Sequence, residues 1–438
     1  MSLANDLIGL CDRILEEGPD ERIRSVRRRL DQPVRVAIAG RMKAGKSTLL
    51  NAIVGEPLAA TDAGECTRIV TWYEHDLTYR VTAELVDGST RELPFERSGG
   101  RLDIDLDGLP EEEIRRVVVG WPAAVLENMT LIDTPGLGSL SAVGERTETM
   151  IADHDVDAVL YLMRHLHATD AEFLEAFADG ATDSTVNAIG ILSRADEIGG
   201  GRSDAMDSAR HIADRYTSDD RVGSLVGTVV AVNGLTAASG RGLRESEAAT
   251  LAEVAVLDGR QRNLRLVSAD RFGEDEGSRA VLGRLGVYGL RRGIEALSSE
   301  SVHGAGELSA FLVADSGIGE VENIIEKRIV AHGDALKGRS ALRLLADPNS
   351  AVQGDLERIE ASAVELAALR LGQMMWSEEI SLSDEEQTEI EALIAGIIGD
   401  PAERIEYWRA RTLHPLADST IRETCDLVVR LYEAAAVG

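Results

Sequence analysis

The amino-acid sequence predicts an α/β domain with a doubly wound, mostly parallel sheet, combined with a helical bundle. Short apolar segments separated by helical stretches recur between residues 34 and 232, which is the pattern of a doubly wound sheet. After about residue 235 the strands stop, and apolar residues continue only at helical spacing. A length of 438 residues with 44% hydrophobic content suits a globular chain of two or three domains.

The first helices and the strands follow in order along the chain. Residues 5–30 have the apolar spacing of one or two amphipathic helices, with a break at Gly18-Pro19. Asp87-Gly88 is a hairpin turn, so the segments around it predict a small antiparallel extension of the sheet. That extension comprises residues 69–74, 79–86 and 90–94, and the main strands are predicted at 34–39, 129–132, 156–163, 188–192 and 226–232.

Helices are predicted for the C-terminal third. Ser383 and Glu386 have the spacing of a capping box at a helix start, and Gly399 and Pro401 are typical of its end. Pro415 is placed to open the last helix. We therefore expect a helical bundle after the sheet.

The charge of the chain limits its partners. With 76 acidic and 46 basic side chains the net charge is −30, which excludes a protein that coats nucleic acid through a basic surface. The charge also argues against broad adhesion to anionic lipid. Three isolated cysteines indicate neither a disulfide framework nor a zinc site, and no signal peptide or membrane-spanning segment is evident. We expect a cytoplasmic protein.

A phosphate-binding loop is predicted between the first strand and the helical run 48–54. The residues that match its pattern, GxxxxGK[ST], are Gly40, Arg41, Met42, Lys43, Ala44, Gly45, Lys46 and Ser47, followed by Thr48. In such a loop backbone N–H groups wrap the phosphates, the lysine neutralises the β- and γ-phosphates, and the hydroxyl ligates Mg²⁺. The loop therefore predicts a nucleoside triphosphate and Mg²⁺ as ligands.

A second phosphate element follows the strand at 129–132, where residues 133–136 read Asp-Thr-Pro-Gly. The carboxylate of Asp133 can hold Mg²⁺, and the N–H of Gly136 can contact the γ-phosphate. Alone this tetrapeptide is also a good turn sequence, but after a phosphate loop it strengthens the prediction. A mobile threonine that reaches Mg²⁺ is expected between the two motifs, and Thr67 is preferred over Thr61 because it directly precedes the next strand.

The element that contacts the base decides between GTP and ATP. Ser193 begins the sequence Ser-Arg-Ala-Asp, where GTPases usually have Asn or Thr, then Lys, any residue, and Asp. The carboxylate of Asp196 would accept two hydrogen bonds from guanine N1 and N2, which adenine does not offer. Arg194 would replace the usual lysine and lie along the base, and Asn233 with its neighbours could line the base pocket. GTP is therefore predicted as the substrate and GDP as the product.

Taken together, these motifs resemble the bacterial dynamin-like GTPases, nearest to the mycobacterial isoniazid-inducible dynamin-like proteins and their shorter C-type member. The segments that carry the resemblance are AGRMKAGKSTLLNAIVGE, TDAGECTRIVTWYEH, IDTPGLGSL, SRADEIGGGRSDAM, RLGVYGLRRGIEAL and SGIGEVENII. The resemblance implies N-terminal neck helices at 1–30, a dynamin-type GTPase domain at 31–300 and a helical neck or short trunk at 301–438. The neck would combine both chain ends, and Thr67 would be the switch threonine.

The resemblance also implies a function. The chain would hydrolyse GTP with Mg²⁺, associate as a homodimer through the GTPase domain or with a dynamin-like paralogue, and remodel membrane at the inner face of the plasma membrane. Membrane lipid would then be a further partner. Two alternatives stay open: a nucleotide-binding partner or regulator of a longer, membrane-engaging paralogue, and a soluble assembly GTPase that does not act on membranes. The stretch 355–406 has 14 acidic and 3 basic residues, which argues against binding to anionic membranes by this chain alone.

The expected catalytic residues are Lys43, Lys46, Thr67 and Gly136. Eukaryotic dynamins place a catalytic glutamine at the position of Met42 and a serine at that of Lys43. Met42 cannot orient the attacking water, so the resemblance implies slow turnover by the chain alone. Lys43 is interpreted either as an ammonium near the β–γ bridge, where eukaryotic dynamins hold a monovalent cation, or as a lysine that faces solvent.

An arginine-rich stretch in the second N-terminal helical segment has two interpretations. It contacts lipid headgroups or an acidic partner, or it pairs with acidic residues of the same chain. The acidic stretch 355–406 favours the second interpretation. The residues are Arg22, Arg24, Arg27, Arg28 and Arg29.

Overall fold

In the computed structural model the chain folds as two units. One unit is Arg35–Ile325, and the other combines Met1–Val34 with Glu326–Gly438. Two helices, α1 (Leu3–Glu17) and α2 (Glu21–Asp31), precede the sheet. The structure describes residues 2–59, 69–98, 101–135, 156–164, 174, 187–346, 352–376, 380, 382–397, 401–415 and 417–437.

A mixed sheet forms the centre of the unit Arg35–Ile325. The described strands are β1 (Val34–Gly40), β2 (Thr71–His75), β3 (Arg80–Leu85), β4 (Thr90–Glu92), β5 (Phe95–Ser98), β6 (Arg101–Ile104), β7 (Ile114–Trp121), β8 (Met129–Asp133), β9 (Ala158–Met163), β10 (Ala188–Ser193) and β11 (Val229–Val232). Nine of them form one sheet in the order β11-β10-β9-β1-β8-β2-β7-β3-β4, and β5 pairs with β6 separately.

The sheet has a parallel part and an antiparallel extension. Strands β1, β9, β10 and β11 pair in parallel. Strand β2 runs antiparallel to β8, with Trp72 opposite Ile132, and parallel to β7. Strands β3 and β4 form the hairpin predicted around Asp87-Gly88. The predicted α/β class, with its antiparallel extension, is confirmed.

Buried strands and surrounding helices account for the core of this unit. Every residue of β1, β8, β9 and β10 is buried, as expected for strands covered on both faces. The α-helices among the described residues of this unit are α3 (Lys46–Val54), α4 (Val125–Asn128), α5 (Ala205–Thr217), α6 (Asp220–Val226), α7 (Gly234–Arg241), α8 (Glu245–Ala255), α9 (Gly259–Arg265), α10 (Ala269–Phe272), α11 (Glu276–Ser298), α12 (Gly304–Asp315) and α13 (Ile318–Ile324).

Two details of the sheet differ from the prediction. The segment 226–232 contains the end of α6 and, after Gly227 in the left-handed region at φ 62°, the strand β11. Glycine adopts this conformation without a steric penalty, so it permits the change from helix to strand. Strand β7 was not predicted, although it pairs with both β2 and β3.

Helices from both chain ends share one core in the other unit. Leu7 and Leu10 of α1 and Val26 of α2 belong to the same apolar cluster as Leu342 and Leu345. This sharing confirms the predicted bundle from both chain ends. The C-terminal helices are α14 (Gly333–Leu345), α15 (Gln353–Ser362), α16 (Val364–Trp376), α17 (Asp384–Ile394), α18 (Pro401–Thr412) and α19 (Ser419–Val437).

Two helix starts test the capping predictions. The capping box of Ser383 and Glu386 is present at the start of α17. Helix α19 begins at Ser419 rather than at Pro415, because the Asp418 side chain accepts the N–H of Ile421 at 2.8 Å and caps the helix there. No helix in the described ranges is both long and apolar enough to cross a membrane.

Three of the five N-terminal arginines pair with carboxylates of α1 and α2. Arg27 pairs with Asp12 and Asp31, and both Arg24 and Arg28 pair with Glu21. The remaining two bond to backbone: Arg22 to the carbonyl of Leu344, and Arg29 to that of Pro33 at 3.1 Å. Pairing within the chain is thus observed, but the predicted partner stretch 355–406 was wrong for Arg24, Arg27 and Arg28, because carboxylates of α1 and α2 are nearer.

Candidate functional site

The phosphate loop connects the buried end of β1 to the start of α3. Gly45 lies at φ 98° and caps α3, where a side chain would be strained. A Cβ at Gly40 would lie 2.5 Å from the carbonyl oxygen of Leu162 on β9, so only glycine fits there. These two glycines let the chain turn sharply and leave the first N–H groups of α3 at the loop, as an anion site requires.

Lys46 lies inside this loop. Its side chain is buried, and Nζ donates to the carbonyl oxygens of Gly40 at 3.3 Å and Arg41 at 3.4 Å. The ammonium is therefore held within the turn that the backbone makes. A positive charge in this place complements phosphate oxygens bound to the loop N–H groups.

Ser47 and Asp133 meet at the end of β8. Ser47 Oγ donates to Asp133 Oδ2 at 3.1 Å, and Asp133 is only 1% exposed. Thr134, the next residue, donates from Oγ1 to the Ile38 carbonyl on β1 at 2.9 Å and fixes the chain after β8. A hydroxyl and a carboxylate oxygen are hard ligands that suit Mg²⁺.

Two predicted residues of this region, Thr67 and Gly136, lie outside the described residues, as does the alternative Thr61. Their roles stay predictions.

One cavity joins the phosphate loop to the predicted base-binding element. Its volume is 330 Å³. The carboxyl ends of β9, β10 and β11 meet the loop at one edge of the sheet, so residues far apart in sequence share this cavity. The lining residues are Ala44, Gly45, Thr48, Leu49, Leu162, Ile191, Ser193, Arg194, Asp196, Glu197, Val232, Gly234, Leu235 and Gly283.

Asp196 is a half-buried carboxylate in the wall of this cavity. Burial is the largest cause that raises its pKa above the ordinary value, and the guanidinium of Arg194 acts in the opposite direction. Arg194 has a left-handed backbone, at φ 54°, and donates to Glu197 at 2.6 Å. Arg164 donates to the same carboxylate at 2.8 Å, so Glu197 holds two guanidinium groups at the cavity edge.

Ser193 and Asn233, two of the predicted base-pocket residues, form hydrogen bonds to other groups of the protein. Ser193 is buried and donates to the carbonyl of Met163 at 3.3 Å. Asn233 is buried too; its Oδ1 accepts the N–H of Thr236 at 3.0 Å, and its Nδ2 donates to Thr236 Oγ1 at 2.7 Å. It therefore caps α7, and it is not among the described residues that line the cavity, whereas its neighbours Val232 and Gly234 are.

The outer part of the phosphate loop faces solvent. Arg41 and Lys43 are exposed, and Met42 is 49% exposed. Lys43 adopts a left-handed backbone at φ 63°, which is uncommon for a residue with a side chain. The side chains of Met42 and Lys43 are thus accessible to a ligand or to a second protein molecule.

Some cavity residues were missed by sequence reasoning. Leu162 and Ile191 lie near the ends of predicted strands, so the sequence could have placed them at the carboxyl edge of the sheet, where the cavity lies. Glu197 directly follows the base motif, so the sequence could have placed it at the cavity as well. Gly283, on α11, carries no local signal, because only the tertiary packing brings that helix to the cavity.

Comparison with known proteins supports a family assignment. The dynamin family model matches residues 36–195, which include both phosphate elements and most of the base motif. The isoniazid-induced protein IniC of Mycobacterium tuberculosis is 36% identical over 447 aligned residues, covering 93% of this chain and 90% of that protein. The bacterial dynamin-like protein of Nostoc punctiforme is 31% identical over 141 residues, covering 30% of this chain and 20% of that protein.

A second isoniazid-induced protein of the same species, IniA, is 34% identical over 132 residues, which cover 27% of this chain and 20% of that protein. The similarity to IniC extends over nearly the whole length of both chains, and that to the other two proteins over a minor part. The chain therefore belongs to the dynamin family, as a bacterial dynamin-like GTPase.

Proposed function

We propose that this chain binds GTP, hydrolyses it to GDP and phosphate with Mg²⁺, and couples the reaction to association. The observation that carries the proposal is the single 330 Å³ cavity lined both by phosphate-loop residues and by Asp196. A guanine nucleotide needs phosphate donors and a carboxylate for the base in one connected space, and this cavity offers both.

Each predicted residue has a role in this proposal. The loop residues 40–47 and Thr48 bind the phosphates, and Lys46 neutralises charge on them. Ser47, Asp133 and Thr67 hold Mg²⁺, which would neutralise charge that develops on the phosphate oxygens. Gly136 contacts the γ-phosphate, Asp196 accepts from guanine, and Ser193 and Asn233 support the base pocket through the fold. Arg194, held by Glu197, covers the base.

Nucleotide binding measured by calorimetry tests this proposal. We expect the native chain to bind GTP and GDP but not ATP, and Lys46→Ala to lose at least about 100-fold in GTP affinity, because a charge-assisted contact to phosphate is lost. Arg215→Ala, an exposed site on α5, is the matched control. Equal binding of ATP and GTP, or full affinity in Lys46→Ala, would contradict the proposal.

We further propose two domains and a dependence on association. The unit Arg35–Ile325 would act as the GTPase domain and the helical unit as the neck, with association through the GTPase domain or with a paralogue. Met42 is exposed and has no side-chain donor or acceptor for the attacking water, which supports slow turnover alone. Turnover per molecule should therefore rise with protein concentration, and a constant rate over a wide concentration range would contradict this.

A second candidate function is a nucleotide-binding partner or regulator of a longer paralogue, with little activity of its own. The lack of a polar side chain at Met42 to orient the attacking water supports this candidate too. Membrane remodelling at the inner face of the plasma membrane is proposed for either form. Co-sedimentation with neutral and anionic vesicles, with and without a paralogue, separates the candidates. Pelleting by the chain alone supports the autonomous form, pelleting only with the paralogue supports the partner, and no pelleting in either condition supports a soluble assembly GTPase.

A further inference from the structure

A short segment of the unit Arg35–Ile325 presents positive charge beside exposed apolar side chains. Residues 256–271, which include α9, carry four arginines and two aspartates in a chain whose net charge is −30. Val256 is 83% exposed, and Leu264 and Val267 are exposed as well. The positive charge of this segment contrasts with the negative net charge of the chain.

The segment is firmly anchored. Leu257 and Leu266 pack against the helical core of this unit. Arg262 donates to the carbonyl of Ala255 at 3.2 Å, and Arg291 donates to that of Leu266 at 3.3 Å. The outward apolar side chains are therefore exposed on an ordered segment, which is typical of an interaction surface.

Three of the four arginines have no ion-pair partner within the described ranges. Arg265 pairs with Asp275 at 2.8 Å, and Arg262 bonds to backbone. Arg260 and Arg271 are exposed, and neither has an ion-pair partner within the described ranges. We define the basic patch as Val256, Arg260, Leu264, Val267 and Arg271.

The opposite combination occurs on α17 and α18. Their arginines are neutralised: Arg404 by Glu389, Arg411 by Glu386, and Arg409 by Glu433. Exposed carboxylates remain on these helices without an ion pair to any described residue, and Ile397 and Leu413, which follow the ends of the two helices, are exposed as well. We define the acidic surface by its carboxylates, Asp384, Glu385, Glu391, Glu403 and Glu406.

We propose that the basic patch of one copy binds the acidic surface of a second copy, head to tail. Both surfaces are exposed in the single chain and match in charge and in apolar character. Repulsion between two chains of net charge −30 is screened beyond about 8 Å at physiological salt, so the local charges decide. Recognition of anionic lipid uses clusters of about four to eight basic residues, whereas only Arg260, Arg262 and Arg271 lack an ion pair in this described segment.

One such contact uses the basic patch of one copy and the acidic surface of the other, so the interface is heterologous rather than isologous. It is distinct from the nucleotide-dependent pairing proposed above, because neither surface includes residues of the nucleotide cavity.

Sedimentation velocity of the full chain without nucleotide tests the proposal. At about 0.15 M salt we expect the average mass to grow with protein concentration, and at about 0.5 M salt to return to that of one chain, because screening weakens the contact. R260E/R271E and D384K/E385K/E391K should each weaken self-association by at least about tenfold. A mixture of the two variants should form one-to-one pairs, because each supplies one intact surface.

The control R215E makes the same kind of charge reversal on an exposed residue of α5. A native chain that remains single at every concentration, equal loss of association in R215E, or no pairing in the mixture would overturn the proposal. Pelleting with anionic vesicles that R260E/R271E abolishes, while the native chain stays single, would assign the basic patch to lipid instead.

Discussion

Asp196 is the residue that we propose selects guanine over adenine. Burial in the cavity wall raises its pKa, which means that its carboxylate is partly removed from water. A partly desolvated carboxylate is stabilised by two hydrogen-bond donors on the same edge of a ligand. The N1–H and N2–H groups of guanine are two such donors. Arg194 is held by Glu197 at 2.6 Å and does not bond to Asp196 in its place.

We predict that Asp196→Asn changes the base preference. The amide would donate to the C2 carbonyl of xanthine and accept from N1–H, but it would meet the N2–H donors of guanine with its own donor. GTP affinity should fall by about 100-fold and xanthosine triphosphate affinity should rise, as measured by calorimetry. Asp214→Asn, an exposed site on α5, is the control. Unchanged affinity for both nucleotides would show that Asp196 does not contact the base.

A second residue-scale prediction concerns Lys43. Its exposed ammonium belongs to the same loop turn as Lys46, and its left-handed backbone holds it at the outer part of the loop. If the ammonium stabilises charge at the β–γ bridge, Lys43→Ala keeps GTP affinity and lowers hydrolysis by about tenfold or more. Lys43→Arg, which keeps the charge, should retain most of the rate. Equal rates in the native chain and Lys43→Ala, measured by phosphate release, would assign Lys43 to solvent.

Residues within a short motif were predictable, and residues brought in by the fold were not. Lys46 and Ser47 follow from local spacing, and the structure places Ser47 beside Asp133, 86 positions away. Asn233 was predicted in the base pocket from its position after a strand, but the same position suits a helix cap, and the hydrogen bonds to Thr236 show the latter. Local sequence does not distinguish these two uses of an asparagine.

At the scale of elements, Arg241 connects two helices of the nucleotide-binding unit. From α7 it donates to the carbonyls of Ala52 and Ile53, in the last turn of α3, and it pairs with Glu322 on α13. The last carbonyls of a helix lack partners within the helix and carry partial negative charge. One guanidinium thus fixes the far end of the helix that begins at the phosphate loop.

We predict that Arg241→Ala lowers the free energy of unfolding by about 1–3 kcal/mol, because helix carbonyls and a carboxylate lose a charged donor. Arg241→Lys should lose an intermediate amount, since one ammonium cannot span both groups. Urea unfolding followed by circular dichroism measures this. The exposed Arg215→Ala should stay within about 0.5 kcal/mol of the native chain. An Arg241→Ala midpoint equal to that control would disprove the connecting role.

The three C-terminal helices α17, α18 and α19 are joined by two carboxylates, the half-buried Glu389 and the buried Glu386. Glu389 accepts from Arg404 at 2.7 Å, from Trp408 at 3.0 Å and from Tyr432 at 2.6 Å. Burial alone would raise its pKa, but these donors outweigh burial and lower it. The pKa of Glu386 is also lowered: burial raises it, but hydrogen bonds, including the one donated by Tyr407, lower it by more.

This network predicts a pH dependence. A carboxylate whose pKa is lowered by folding adds stability above its unfolded pKa, ordinarily about 4.3, and that stability is lost as pH falls through the lowered folded value. Protection of α17–α19 in hydrogen exchange should therefore decrease as pH falls below about 4.3. Glu389→Gln should be less protected at neutral pH, by about 1–3 kcal/mol, and change less with acid. The exposed Glu385→Gln should follow the native chain, and a Glu389→Gln profile that matches it would contradict the prediction.

Element prediction succeeded where the hydrophobic pattern was strong and local. Strands β1, β8, β9 and β10 are continuous apolar runs between turn signals and were predicted within one or two residues. Strand β7 begins Ile-Arg-Arg, and its charged residues concealed a strand that is stabilised by its neighbours. Arg116 is an example, because it stacks on Trp72 at 3.8 Å, a contact that only the assembled sheet provides.

At the scale of the whole molecule, the net charge of −30 is distributed unevenly. The stretch 355–406 accounts for 14 acidic against 3 basic residues, which is 11 of the excess negative charges. Arginines of the N-terminal helices, such as Arg27, are neutralised by their own helices and do not offset that stretch. A membrane would therefore meet a largely negative molecule, apart from the basic patch.

This distribution predicts the salt dependence of membrane binding. A protein that grips anionic lipid through basic residues is released by salt, because screening weakens attraction. For this chain we expect the reverse. At about 0.05 M salt it should pellet less with anionic than with neutral vesicles, and the difference should shrink as salt rises toward about 0.5 M, because screening then weakens repulsion. D384K/E385K/E391K, which removes negative charge from α17, should reduce the difference at low salt. Stronger pelleting with anionic vesicles at low salt, lost on adding salt, would show instead that local arginines outweigh the charge of the whole molecule.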